Sequence, residues 1–381
     1  MADKTRSIFE EVGTTQKQVA TKGMIDDRKT GARGAIRAWM MTLFALVAIM
    51  IAVGGLTRLT DSGLSITEWK PVTGALPPMS AAAWDVEFEK YKQIPEYQLQ
   101  NKGMSLSEFK TIFWWEWGHR QLGRVIGLVW AAGFVFFLAT RKIPVGWTGR
   151  MLLLGALGGL QGFIGWWMVS SGLSNGMLDV ASYRLATHLG LAFVIFGFLT
   201  WYILALSRRE ADLMQARRLA DPALGRLAQI LLGLTFVQIL IGALVAGIDA
   251  GRDYIDWPLM AGGFFPPDPF QLTPVWRNFF EDAGLVQFIH RMAGYILFGF
   301  GIFVWLRARQ SANSSTKFAF NLILAMLVLQ MLLGIITVMS SAPWHLAILH
   351  QIGAVVLWVL VLRALFLTRY PHKQSIQGAA A

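Results

Sequence analysis

Eight long apolar stretches constrain the fold of this chain more than any other feature. They lie at 38–57, 115–138, 150–171, 184–206, 227–248, 285–306, 318–339 and 345–367. About 20 apolar residues in a helix span the roughly 30 Å hydrocarbon core of a bilayer. A helix also satisfies its own backbone hydrogen bonds where water is absent. The sequence therefore predicts an all-α integral membrane protein with eight transmembrane helices.

The distribution of positive charge predicts the orientation. The net charge is +11, and most of the 34 lysines and arginines lie in the N-terminal tail, at the C-terminus and in the loops that follow even-numbered spans. By the positive-inside rule, both termini are cytoplasmic, and the expected location is a bacterial inner membrane. Since topology accounts for the charge, we expect membrane lipid and no nucleic acid as a partner. The polar N-terminus is not a cleavable signal peptide.

The chain contains no cysteine. This excludes disulfides, thiolate metal sites, iron–sulfur clusters and covalently attached c-type haem.

Recurring motifs predict a duplication. Asp61 and Trp69 in one loop are matched by Asp249 and Trp257 in another, and Gln161 and Gly165 by Gln330 and Gly334. We interpret the chain as two parallel-repeat four-helix bundles. The predicted segments are a cytoplasmic tail (1–37), an N-terminal half (38–206) with a long outer loop (58–112), a cytoplasmic linker (207–226), a C-terminal half (227–368) with an outer loop (249–284), and a cytoplasmic tail (369–381). A short amphipathic helix is expected near 82–92.

Four histidines are the main candidates for function. His119, His188, His290 and His350 each lie one to two turns inside an even-numbered span, so they share one depth in the outer leaflet. Two histidines per half could clamp a haem iron from both sides. The alternative is that each is a hydrogen-bonding group between helices. A zinc site would need three or four ligands, and here they come in pairs. His345 is interpreted as interfacial and His372 as solvated.

Other polar groups accompany these histidines. Arg120 and Arg291 follow a histidine directly, and Arg184 lies one turn outward of His188, so all three are candidates to pair with haem propionates. The alternative is that they reach lipid headgroups. Glu116 lies one turn before His119 on the same helix face, where the matching residue in the other half is Gln287. Tryptophans around Glu116 should limit water there and suit it to proton transfer.

The first outer loop and second span resemble the haem A synthases. The resemblance rests on Gly54 to Thr60, Ser62 to Ile66, Glu68 to Gly74, Leu76 to Pro78 and Glu116 to Arg120, and extends over about 36–368. It implies an eight-helix enzyme that oxidises a methyl group of haem O, through a hydroxymethyl intermediate, to the formyl group of haem A for cytochrome oxidase. This chain is similar to the cysteine-free branch of the family.

The resemblance also implies site roles. Haem b would be held by His290 and His350, and the substrate haem would bind at His119 and His188 beside a catalytic Glu116. Haem O synthase, an electron acceptor and a second copy of the chain are candidate partners. Two alternatives stay open, namely a di-haem b-type electron-transfer protein and a transporter built from parallel repeats. The first leaves the difference between Glu116 and Gln287 unexplained, and the second would favour charges at the middle of the spans.

Overall fold

The computed structural model describes residues 32–173 and 177–373, and these form helices and no strands. The α-helices are α1 (Arg33–Leu59), α2 (Ala81–Tyr91), α3 (Pro95–Leu99), α4 (Leu106–Ala139), α5 (Thr148–Gly172), α6 (Ser182–Leu206), α7 (Glu210–Arg217), α8 (Pro222–Gly247), α9 (Asn278–Glu281), α10 (Ala283–Ala308), α11 (Ser314–Met339) and α12 (Trp344–Arg369). Two 3₁₀ helices cover Thr73–Ala75 and Val275–Arg277.

Eight of the described helices are long and apolar enough to cross a membrane, which confirms the predicted fold class and number of spans. They are α1, α4, α5, α6, α8, α10, α11 and α12. The largest difference from prediction is at α4, which begins nine residues before 115. Ser105 and Glu108 form a capping box there, so the helix starts in the outer loop rather than at the edge of the apolar stretch. His119 consequently lies well inside α4, while the other three histidines lie about two turns from a helix start.

Helix α6 lies at the centre of the molecule. Half of its most apolar window is buried (50%), against 6% for α4 and α5. It packs on α1, α5, α8 and α12. Small residues allow such close approach in a membrane, where there is little hydrophobic drive between helices; Gly197 of α6 lies against Trp358 of α12. The α4, α5, α10 and α11 helices are left with their outer faces open to lipid.

The helices that carry histidines pack on shared neighbours. In the N-terminal half, α4 and α6 both pack on α1, and in the C-terminal half α10 and α12 both pack on α8 and α11. Each histidine pair is thus held by helices that lie between its members. The division into two parallel four-helix bundles with the predicted boundaries stays a prediction.

The first outer loop forms a small packed unit on top of α4. Trp84, Phe88 and Tyr91 of α2 are buried against Phe109 and Phe113 of α4. The predicted amphipathic helix is therefore present, at Ala81–Tyr91 instead of 82–92. The second outer loop carries only short helical turns before α10.

Candidate functional site

Each of the four histidines rests against a glycine of the preceding long helix. A Cβ added to Gly54, Gly165, Gly242 or Gly334 would lie 2.8, 2.9, 3.1 or 3.2 Å from the Cε1 of His119, His188, His290 or His350, respectively. The next nearest ring atom is Nδ1, which at His350 is as close as Nε2. The four imidazoles therefore present the same edge to the neighbouring helix, and the chain needs glycine there to admit the ring.

The residue four positions before the glycine completes this cradle. It is Gln161, Gln238 or Gln330 in three of the four cases, and each amide nitrogen donates to the backbone carbonyl of its histidine at 3.0 Å. At His119 the equivalent residue is Met50. Gln161 and Gln330 recur in the sequence, but their spacing alone does not indicate this contact.

The histidines of the C-terminal half face each other. The ring centres of His290 and His350 are 6.5 Å apart and the rings are inclined by 82°. Two imidazoles that bind one metal through bonds of about 2 Å have ring centres roughly 6–6.5 Å apart. The pair therefore fits the two axial positions of a haem iron. Within the described residues no group of three or more metal-ligating side chains is present that could hold a bare metal ion.

Buried polar atoms without partners also fit a bound group. Nδ1 of His119 and of His350, and Oε1 of all three cradle glutamines, are buried with no hydrogen-bond partner. Such atoms are costly unless they are satisfied when a ligand binds. A neutral histidine that ligates a metal through one ring nitrogen has a proton on the other and needs an acceptor for it.

Glu116 is fixed at the junction of α4 and the first outer loop. The residue is 3% exposed, and its Oε2 accepts from Ser65 Oγ and from the Ile66 backbone N–H, both at 2.7 Å. Its Oε1 accepts from Arg120 at 2.6 Å. The carboxylate is thus buried, as the proton-transfer interpretation expects, and it is also paired with Arg120. A carboxylate has about four acceptor positions, so three donors leave one available.

Gln287 holds the second outer loop in the same way. Its amide donates to the Tyr254 carbonyl at 3.1 Å, and its Oε1 accepts from Arg291 at 3.3 Å. Gln287 is also 3% exposed. We call each of these pairs, Glu116 with Arg120 and Gln287 with Arg291, a clamp, because it ties an outer loop to a helix. The two clamps have the same shape, but only Glu116 can ionise.

The three arginines considered for propionates donate to backbone carbonyls. Arg120 donates to the carbonyls of Ile66 and Glu68, and Arg291 to those of Tyr254 and Leu259. Arg184 donates to the Trp167 carbonyl at 2.6 Å and lies over the Trp167 ring. Nε of Arg184 and of Arg291 is buried without a partner, so each retains one donor for an anionic group.

One ionic cluster was not predicted from the sequence. Arg58, at the end of α1, pairs with Asp61 and with Asp249 at 2.9 Å each, and with Asp179 at 3.6 Å. It therefore joins Asp61 to the residue that matches it in the other half. Burial raises the pKa of Asp179, while the nearby Arg58 opposes that rise. The end of α1 carries this basic residue where the matching Ala246 cannot pair, which is the sequence signal that could have revealed the cluster.

The remaining histidines lie away from this site. His345 is exposed at the start of α12, beside the Trp344 ring. His372 is exposed but accepts a hydrogen bond from Arg208 at 3.0 Å, so it is not merely solvated as expected.

Comparison with known proteins supports one family. Residues 37–362 match the model of the COX15-CtaA family, described as cytochrome oxidase assembly protein. The chain is 66% identical to a protein named heme A synthase from Ruegeria sp. (strain TM1040), over 98% of this chain and 99% of the relative. It is 65% identical to the heme A synthase of Dinoroseobacter shibae (99% and 100%) and 60% identical to that of Paracoccus denitrificans (98% and 98%). The chain therefore belongs to the COX15-CtaA family of cytochrome oxidase assembly proteins.

Proposed function

We propose that this protein is a haem A synthase, which oxidises a methyl group of haem O to the formyl group of haem A for cytochrome oxidase. The observation that carries the proposal is the near full-length identity to relatives with that name, together with four histidines in matching glycine cradles. The reaction removes electrons and protons in two successive steps, with the hydroxymethyl compound between them.

The C-terminal half is the proposed site of a resident haem b. His290 and His350 would hold its iron, which the 6.5 Å separation of their ring centres supports. A bound haem b supplies one-electron transfer. The Gln287 clamp is neutral and keeps the second outer loop on α10 without offering a proton acceptor beside the ring pair.

The N-terminal half is the proposed site of the substrate haem. His119 and His188 would bind it, and Glu116 would accept a proton at its remaining lone-pair position. Because Ser65, Ile66 and Arg120 hold both carboxylate oxygens, the acceptor is fixed in place rather than free to swing. Preorganised acceptors of this kind are more effective than mobile ones. Arg184 and Arg291, each with a free buried Nε, are the better placed of the three propionate candidates.

A di-haem electron-transfer protein is the competing function. It would be expected to treat its two haems alike. Here Glu116 of one half corresponds to Gln287 of the other, and Met50 corresponds to Gln238. The two sites therefore differ in acid–base chemistry and in the support of one histidine. This difference favours a protein in which one haem is the reactant.

The membrane orientation is also part of the proposal. Eight apolar helices suggest a multi-pass membrane protein. The loop charges support a proposed orientation with both termini in the cytoplasm and the histidines toward the opposite face of a bacterial inner membrane. Haem O, haem O synthase and an electron acceptor are the proposed partners.

Expression in cells that make haem O but no haem A tests the function. We expect haem A, with some hydroxymethyl intermediate, among the pigments separated by chromatography of the extracted haems. If the cells make the protein and contain haem O alone, the chain is not a haem A synthase.

A further inference from the structure

The four cradles are alike in geometry but not in chemistry. In each cradle the glycine is paired with the residue four positions before it, about one helical turn away on the same helix. Three of these residues are glutamines, Gln161, Gln238 and Gln330, and the fourth is Met50.

All three glutamines donate to the backbone of their histidines, and two of them also contact the ring. Nε2 of Gln161 donates to the His188 carbonyl at 3.0 Å and lies 3.2 Å from its Nδ1. Nε2 of Gln238 makes the same contacts to His290, also at 3.0 and 3.2 Å. Gln330 donates to the His350 carbonyl at 3.0 Å. Each glutamine therefore ties the helical turn that carries its histidine to the neighbouring helix.

Met50 occupies the equivalent place beside His119. A Cβ added to Gly123, one turn after His119, would lie 3.5 Å from Met50 Cε. A Cβ added to Gly294, one turn after His290, would lie 3.3 Å from Gln238 Nε2. The end of the methionine side chain therefore reaches the same point as the glutamine amide.

A methionine cannot replace the amide chemically. It has no N–H to donate, and its sulfur is a weak acceptor. Nδ1 is buried without a partner in His350 as well as in His119. The difference is at the backbone, because Gln330 donates to the His350 carbonyl whereas Met50 cannot donate to that of His119.

We propose that Gln161, Gln238 and Gln330 are positioning residues that hold their histidines for iron ligation through the backbone carbonyl, and that Met50, which cannot do so, makes His119 the releasable ligand. The inference rests on the proposed function, because only a substrate haem must leave at every turnover. A histidine is supported here when a glutamine donates to its backbone carbonyl. A resident haem is best held by two supported histidines, and an exchanged haem by one supported and one unsupported histidine. Gln238 and Gln330 lie in the C-terminal half and Met50 lies in the N-terminal half, which matches this division.

The test measures haem release from purified full-length protein loaded with haemin, using apomyoglobin as the acceptor. Met50→Gln should slow release from the N-terminal half about tenfold, equivalent to about 1.4 kcal/mol. Met50→Leu, which adds no hydrogen-bonding group, should release haem at the wild-type rate. The reciprocal Gln161→Met should release it several-fold faster. Gln238→Met should shift the low-spin electron paramagnetic resonance signal of the haem that remains, since ring orientation sets that signal.

Equal release rates for Met50→Gln and Met50→Leu, with Gln161→Met also unchanged, would overturn the proposal. So would an unshifted resonance signal in Gln238→Met, because a merely structural glutamine would change the haem content and not the signal. These readouts use added haemin and do not require haem A formation. A failure of the proposed function would appear separately, as wild-type protein that makes no haem A from haem O.

Discussion

The N-terminal and C-terminal halves hold their histidines in the same geometry and surround them with different chemistry. Both use glycine cradles, and in both an arginine after the first histidine ties an outer loop to its helix. The residue at the centre of that tie is the acid Glu116 in one half and the amide Gln287 in the other. Features that set shape are thus shared, and features that set reactivity are not.

Helix packing differs between the halves as well. Helices α10 and α11 pack closely, whereas α5 packs mainly on α6 and only lightly on α4. With Gln161 aligned to Gln330, Gly158 matches Leu327, whose side chain fills the space beside Gly301 of α10. In the N-terminal half an open cavity of about 450 Å³ is lined by Trp69, Gly159, Gly162, Phe163 and Trp166.

These differences indicate a closed half and an open half. The C-terminal half has two histidines whose carbonyls accept from a glutamine, a neutral clamp and a filled space between helices, which suits a permanent cofactor. The N-terminal half has one histidine without this bond, an ionisable clamp and an open cavity along α5, which suits a reactant that enters and leaves.

The largest expected effect comes from removing a histidine of the open half. His119→Ala or His188→Ala should abolish haem A formation, because the substrate haem loses an iron ligand, while haem b stays bound. The measurement is the haem composition of purified protein by chromatography and its reduced-minus-oxidised spectrum. Loss of all haem from a folded variant would contradict the division between halves.

The clamp residues give the next largest effect. Glu116→Gln should stall oxidation by at least a hundredfold, so that haem O or its hydroxymethyl form accumulates, because a proton acceptor is worth typically 10²–10⁴-fold. The fold should survive, since Gln287 already fills the equivalent place. The reciprocal Gln287→Glu is the matched control and should gain no activity. Haem A made at the wild-type rate by Glu116→Gln would remove the carboxylate from the mechanism.

Filling the cavity should have a moderate effect. Gly162→Met introduces the residue that the closed half has at Met331, and an added Cβ at Gly162 meets no atom within 4 Å. We expect haem A formation to fall several-fold with haem b content unchanged. Gly149→Met, at the far end of α5 and equally unobstructed, is the control. Equal activity in the two variants would show that the cavity plays no part.

The smallest expected effect is on stability and concerns Glu96 of the first outer loop. Burial raises its pKa from 4.5 to about 8, although the hydrogen bond from Tyr91 opposes the rise. The folded state therefore binds this proton more tightly than the unfolded state. The resulting stability is present below about pH 4.5 and is lost as pH rises through about 8.

Thermal unfolding in detergent between pH 5 and pH 9 measures this effect. The wild-type unfolding temperature should fall between pH 5 and pH 9. Glu96→Gln should reduce this fall by roughly a few degrees. The control is Glu89→Gln, whose side chain is 64% exposed and should leave the decline unchanged. Parallel curves for wild type and Glu96→Gln would contradict the assignment.

Hydropathy was enough to predict the eight spans, because a backbone in lipid must satisfy its own hydrogen bonds and a long apolar stretch does so by forming a helix. It was not enough to place the start of α4. That start depends on the Ser105 capping box and on packing of α2 against Phe109, which are local and tertiary effects. The sequence indicates the four histidines, and Glu116 with its counterpart Gln287, as site candidates, because the surrounding pattern occurs twice along the chain.

The partners of those residues could not be read in the same way. Met50 and His119 are separated by the first outer loop, and Gln238 and His290 by a shorter one, so no single offset aligns the two pairs. Which residue of one helix faces which residue of the next is decided by packing. The same holds for Arg58, two of whose acidic partners, Asp179 and Asp249, come from loops distant in sequence.

The central claim, that one half keeps its haem and the other exchanges it, is tested most directly by a single comparison. His188→Ala and His350→Ala proteins are purified in parallel, and haem b per chain is measured from the pyridine haemochrome spectrum. We expect wild-type haem b content in His188→Ala and a loss of most haem b in His350→Ala. Equal loss in both variants, or loss confined to His188→Ala, would contradict it.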